Sequence, residues 1–104
     1  MKSLKRKPTT PGEILDHEYL KPLGLTQRAL AHHLGCDIKV VNRIVNERSA
    51  VSAEIALKLA ATFETSPDFW LNAQKALDLY RASSSMKKLP KPILAPRLHG
   101  TRAA

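Results

Sequence analysis

The stretch from residue 26 to residue 45, TQRALAHHLGCDIKVVNRIV, holds two helix starts separated by one helix stop. Thr26 can cap a helix by accepting a hydrogen bond from a backbone N–H one turn on. Leu25 before it and Leu30 inside it can pack as a hydrophobic staple. Ala29, Leu30 and Leu34 follow helical spacing and mark the expected buried face, and Ala31 is small enough to let a second helix approach closely. Gly35 stands where the first helix must end in a left-handed residue, a conformation that costs glycine little. Asp37 can then cap a second helix, with Val41, Ile44 and Val45 turned inward and Ile38, Lys39, Asn42 and Arg43 turned outward.

Two short amphipathic helices across a tight turn, with polar residues on the free face of the second, predict a helix-turn-helix. In that motif the second helix lies in the DNA major groove. Three further helices are expected around it. The first starts at Thr10-Pro11-Gly12-Glu13, where cap, proline and acid form a capping box. Ile14, Leu15, Tyr19 and Leu20 make its inner face and Pro22 ends it. The fourth starts at Ser52, with Ile55, Leu59 and Phe63 inward. The fifth starts at Ser66-Pro67-Asp68 and runs to about Arg81. No strand pattern or internal repeat interrupts this order. The expected architecture is all-α: a basic arm over residues 1–9, a five-helix domain over 10–82 and a basic, proline-rich, disordered tail over 83–104.

Charge is distributed in the same three parts. The chain of 104 residues has a net charge of +8, which favours a polyanion as partner. Residues 1–7 contribute +4 through Lys2, Lys5, Arg6 and Lys7, and residues 83–104 contribute +5 through Lys87, Lys88, Lys91, Arg97 and Arg102. Residues 8–82 hold 8 basic and 9 acidic residues, or −1. The central domain is thus nearly neutral, yet Arg28, Lys39, Arg43 and Arg48 concentrate on the motif against Asp37 and Glu47. In the tail, three serines and Pro90, Pro92 and Pro96 oppose a continuous helix. Ile93, Leu94 and Leu98 are its candidates for a short recognition segment.

Several function classes receive no support. No apolar run approaches the roughly 20 residues of a membrane span, and the basic N-terminus lacks the apolar segment of a secretory signal. A cytoplasmic location is expected, which the single Cys36 fits. His32, His33 and Cys36 are too few for a metal site and Gly35 breaks the helix between them, so no metal or cofactor is expected. There is no nucleophile–base pair and no phosphate-binding glycine loop, so the chain does not read as an enzyme.

The motif resembles the Cro/C1-type (XRE) helix-turn-helix family. Its flanks, PGEIL ahead, PLGLTQ leading in and TSPDFWLNAQKALDLYRA behind, resemble the HigA-type antitoxins of bacterial toxin–antitoxin pairs. The resemblance spans about Pro11 to Ala82. It implies a repressor that binds operator DNA and neutralises a partner toxin, in this family usually a RelE-like ribonuclease. It also implies that Ile38, Lys39 and Arg43 read bases, with Val40 and Asn42 beside them, and that Gln27 clamps a phosphate at a helix N-terminus. Asn46 and Arg48, in the loop after the second helix of the motif, are placed to touch backbone phosphate, and Arg28 is a further DNA-binding candidate. Phe69, Trp70, Leu77 and Tyr80 on the fifth helix are the expected interface with a second subunit or the toxin, although one ring of the Phe69-Trp70 pair is also expected to plug the core. A homodimer follows from the two-fold symmetry of operators. The alternative readings are a free-standing phage-type repressor without a toxin, and an interaction module that no longer binds DNA.

Overall fold

In a computed structural model, residues 6–94 are described, and they form five helices and no strand. Expectations for Lys2, Lys5, Pro96, Arg97, Leu98 and Arg102 lie outside the described residues. The first helix, α1, is one rod in three parts: α-helical over Pro11–Ile14, π-helical over Leu15–Leu20 and α-helical again over Lys21–Leu23. Then follow α2 (Gln27–Leu34), α3 (Ile38–Val45), α4 (Ala53–Phe63) and α5 (Pro67–Ser85).

Each helix starts where the local chemistry places a cap. Thr10 Oγ1 accepts from Glu13 N–H at 3.0 Å while the Glu13 carboxylate accepts from Thr10 N–H at 2.9 Å. Thr26, Asp37, Ser52 and Ser66 accept from Ala29, Lys39, Ile55 and Phe69 N–H groups in the same way. Each such bond satisfies a donor that the helix itself leaves open. Gly35 takes the left-handed conformation at φ 73° and ends α2.

Two helix ends depart from the sequence reading. Pro22 does not end α1. The Lys21 N–H reaches back five residues to the Asp16 carbonyl, so the ladder is already widened by one residue before the proline. A proline clashes with the carbonyl four residues back in a regular α-helix, and the wider π turn relieves that crowding. The rod stops two residues later at left-handed Gly24. The fifth helix runs past Arg81 to Ser85, so the boundary set after Ala82 falls inside a helix. Met86 takes an extended backbone conformation and ends the helix four residues before Pro90, and residues 86–94 continue without helix or strand.

The core is built from Leu15, Leu20, Leu30, Ala31, Leu34, Val41, Ile44, Val51, Ala56, Leu59 and Trp70. Burial of such side chains contributes about 1.5–3 kcal/mol each for the larger ones. The α2–α3 pair packs on one side and the α4–α5 pair on the other, with α1 bridging α3 and α5. Ala29 is exposed and Ala31 takes its expected place against the neighbouring helix. Tyr19, Phe63 and Trp70 tie α1, α4 and α5 together, with ring centroids 4.4 Å apart for Tyr19–Phe63 and 5.6 Å for Tyr19–Trp70. Trp70 Nε1 donates to Thr65 Oγ1 at 2.8 Å, so the buried indole keeps its hydrogen bond.

Candidate nucleic-acid interface

Helix α3 is held by Val41 and Ile44, which are buried, and by Ile38, Val40 and Val45, which are half-buried against the core. Ile38, Val41 and Val45 recur at helical spacing along one face. Ile38 is therefore not turned wholly outward as expected, and Val45 is less buried than expected. Lys39, Asn42 and Arg43 are exposed on the opposite side. An amphipathic helix fixed by one apolar stripe presents its polar side chains in a set direction, which base reading requires.

The helix is also tied to α2 through polar groups. Asn42 Nδ2 donates to Gln27 Oε1 at 3.2 Å. Gln27 is the first residue of α2, so its side chain sits at the positive end of that helix. With its oxygen already accepting, Gln27 has its amide N–H groups free to donate, the polarity that a phosphate oxygen needs. Asn46 Nδ2 donates to the Asn42 carbonyl at 3.0 Å and so caps the C-terminus of α3. Arg28 and Arg48 are exposed at the two margins.

Electrostatics separate this face from the rest of the domain. Elsewhere in the domain Lys21 pairs with Asp16 at 3.3 Å, Lys58 with Glu54 at 3.3 Å, and Lys7 and Arg81 with Glu47, while Lys75 of α5 enters no ion pair among the described residues. Among the described residues, Arg28, Lys39, Arg43 and Arg48 enter no such pair. A nearly neutral domain thus presents four uncompensated positive charges around one helix, the pattern of a phosphate- and base-edge-binding surface.

The loop after α3 depends on residues that the sequence did not single out. The buried Gln74 of α5 accepts from Val51 N–H through Oε1 at 2.9 Å and donates to Asp78 through Nε2 at 2.9 Å. It thereby pins the far end of the loop to α5. The available signal was a polar residue inside the stripe Trp70, Gln74 and Leu77. Glu47 adopts the left-handed conformation at φ 60°. Arg48 N–H bonds the Arg43 carbonyl at 2.7 Å and Glu47 N–H bonds the Ile44 carbonyl at 3.1 Å, the paired closure that commonly ends a helix. The Lys7 ammonium beside it, together with hydrogen bonding from Thr10 and the charge of Arg81, holds the Glu47 carboxyl below the usual glutamate range despite some burial.

The expected interface on α5 divides in two. Trp70 is fully buried and Leu77 is only 2% exposed, so neither faces a partner. Trp70 packs on Tyr19 of α1 and Phe63 of α4, and Leu77, two turns further on, lies on the same buried face of α5. Phe69, at 40% exposure, meets Trp70 edge-on with ring centroids 5.2 Å apart and keeps an open face. Tyr80 is half-buried, and Leu79, which was not expected there, is 54% exposed. Among the described residues no group of three or more His, Cys, Asp or Glu could hold a metal, and no helix is long and apolar enough to cross a membrane. His32 and His33 are exposed, and Cys36 packs half-buried against the core.

A helix-turn-helix family profile matches residues 17–70. Antitoxin HigA-1 of Vibrio cholerae is 41% identical over 80 residues, covering 77% of this chain and 75% of that protein. An uncharacterised HTH-type transcriptional regulator of Escherichia coli, YbaQ, is 44% identical over 87 residues, covering 84% of this chain and 77% of its own length. Among solved structures, the antitoxin HigA of Pseudomonas aeruginosa with the higBA promoter superposes with a TM-score of 0.74 at 38% identity, covering 76% of this chain and 86% of that one. Fold, motif and relatives together place the chain in the XRE-type helix-turn-helix family, among the HigA-type antitoxins.

Proposed function

We propose that this protein is an antitoxin and autorepressor that reads operator DNA with α3. The observation that carries this reading is the face formed by Lys39, Asn42 and Arg43, exposed and unpaired by acids on a helix locked by Val41 and Ile44. Support comes from relatives that are antitoxins and from a similar structure solved with promoter DNA. On this reading Lys39 and Arg43 bond guanine edges, Ile38 and Val40 lie against thymine methyl groups, and Gln27, Arg28, Asn46 and Arg48 hold the phosphates to either side.

The operator-bound form is a two-fold dimer, because a single α3 covers only one half-site. Phe69, Leu79 and Tyr80 on the open side of α5 form the proposed contact, with the two α3 helices about 34 Å apart, one DNA turn. The partner toxin is a RelE-like ribonuclease, and antitoxin and toxin together repress their own promoter. Co-expression with the small neighbouring open reading frame checks this part: the antitoxin should relieve a growth arrest caused by that product alone. An adjacent gene without such an effect points instead to a free-standing repressor.

Arg43→Ala tests the base reading. Operator binding should weaken by about 1–3 kcal/mol, and preference should relax at one base pair per half-site. A binding titration against operator and random duplexes decides it. Equal loss on both makes Arg43 a phosphate contact only, and no loss on either shows that α3 is not the reading helix.

A further inference from the structure

The acid in the loop after α3 stands in an unexpected place. Glu47 follows the proposed reading helix directly and neighbours Asn46 and Arg48, two proposed phosphate contacts, where a negative charge opposes DNA. It is nevertheless the most connected carboxylate of the domain. One oxygen, Oε1, accepts from Lys7 Nζ at 2.9 Å and from Arg81 Nη2 at 3.2 Å. These partners are 40 and 34 residues away in sequence. They come from the segment before α1 and from the late turns of α5. Both cations stay 48% exposed, whereas the Glu47 side chain is 23% exposed. The carboxylate therefore lies beneath two cations whose outer sides face solvent. One negative charge against two positive ones leaves the cluster net positive. The Glu47 backbone is in the left-handed region, where glycine is the ordinary choice at a helix end, so a glutamate stands at a position that glycine would occupy with less strain.

We propose that Glu47 is a positioning residue for DNA binding, which fixes Lys7 and Arg81 at the edge of the loop after α3 so that the two cations extend the phosphate-binding margin begun by Arg48. This inference rests on the DNA-binding reading above. Glu47 touches no phosphate itself. It converts two long, freely rotating side chains into fixed donors, which lowers the ordering cost when a phosphate arrives.

The test measures binding of the full chain to two duplexes, its own promoter region and a random sequence, over a range of salt concentrations. Glu47→Gln and Glu47→Gly should each weaken binding to both duplexes about three- to fivefold. Each should also make the slope of log K against log salt shallower by about one. Glu47→Gly should melt at or above the temperature of the parent protein, because glycine relieves the left-handed strain. A role confined to folding predicts no change in salt slope for that variant. In a Lys7→Gln, Arg81→Gln background, Glu47→Gln should have no further effect. Tighter binding by Glu47→Gln, as expected for removing an acid that merely repels DNA, overturns the proposal and leaves the base reading intact. Unchanged affinity and slope overturn it likewise. A parent protein that binds neither duplex overturns both.

Discussion

Leu77→Glu is expected to abolish folding rather than dissociate a dimer. The side chain is 2% exposed on the inner face of α5, in line with Trp70 and Gln74. Removing its packing alone costs about 2–5 kcal/mol, the usual range for a large core aliphatic residue. An ionised carboxylate without a partner adds the cost of burying a charge. A small domain is stabilised by about 5–15 kcal/mol in total, and this one stands at the low end by its size. The variant should therefore lose its far-ultraviolet helical signal at 25 °C. Leu79→Glu, two residues on, is the contrasting variant. Leu79 is 54% exposed, so the substitution should keep helix content and a melting temperature within a few degrees of the parent. If the proposed α5 contact holds the dimer, Leu79→Glu should sediment as a monomer and bind the operator weakly. A folded, dimeric Leu79→Glu protein moves the interface off this face. A Leu77→Glu protein that melts cooperatively near the parent temperature shows that α5 is rotated from the described packing.

The contrast between these two leucines shows where the sequence was informative. Helix starts were legible because a cap is a local event: Thr10, Thr26, Asp37, Ser52 and Ser66 each bond a backbone N–H two or three residues on. The turn at Gly35 was legible for the same reason, since one left-handed residue decides it. The exposure of Lys39, Asn42 and Arg43 on α3 followed from the spacing of Val41 and Ile44, whereas the half-burial of Ile38 did not. The inner face of α5 did not, because Gln74 interrupts its apolar stripe and Phe69, Leu71, Leu79 and Tyr80 supply apolar residues around the rest of the helix. Which stripe faces inward is settled by the rings of Tyr19 and Phe63 and by the Val51 N–H, all of which arrive from other elements. Glu47 was illegible for the same physical reason: its two partners come from opposite ends of the domain. The π turn before Pro22 depends on a ladder shift that composition does not mark.

Gly12→Ala should destabilise the domain and weaken operator binding together, although alanine is the better helix former by about 1 kcal/mol. Gly12 lies in the first turn of α1, buried where that turn crosses the end of α3. A Cβ built on Gly12 would overlap the Ile44 carbonyl oxygen and stand 2.6 Å from the Val45 carbonyl oxygen. Both are backbone atoms, so no side-chain rotation relieves the contact. Either α1 lifts away, loosening the core to which Ile14 and Leu15 belong, or the last turn of α3 shifts. Overpacking of this kind costs typically 1–3 kcal/mol and occasionally more, which outweighs the gain in helix propensity. Each kcal/mol lowers the melting temperature of a domain this size by roughly 4–8 °C. The last turn of α3 also carries Arg43 and leads into Asn46 and Arg48, so a displacement there misplaces one proposed base contact and two proposed phosphate contacts. A thermal melt paired with a promoter titration measures both effects. An unchanged or raised melting temperature would show that α1 does not press on the α3 carbonyls as described. A lowered melting temperature with full operator affinity would show that α1 yields and α3 keeps its place. The glycine of the PGEIL segment is thus explained by the close approach of two helices, one of them the proposed reading helix.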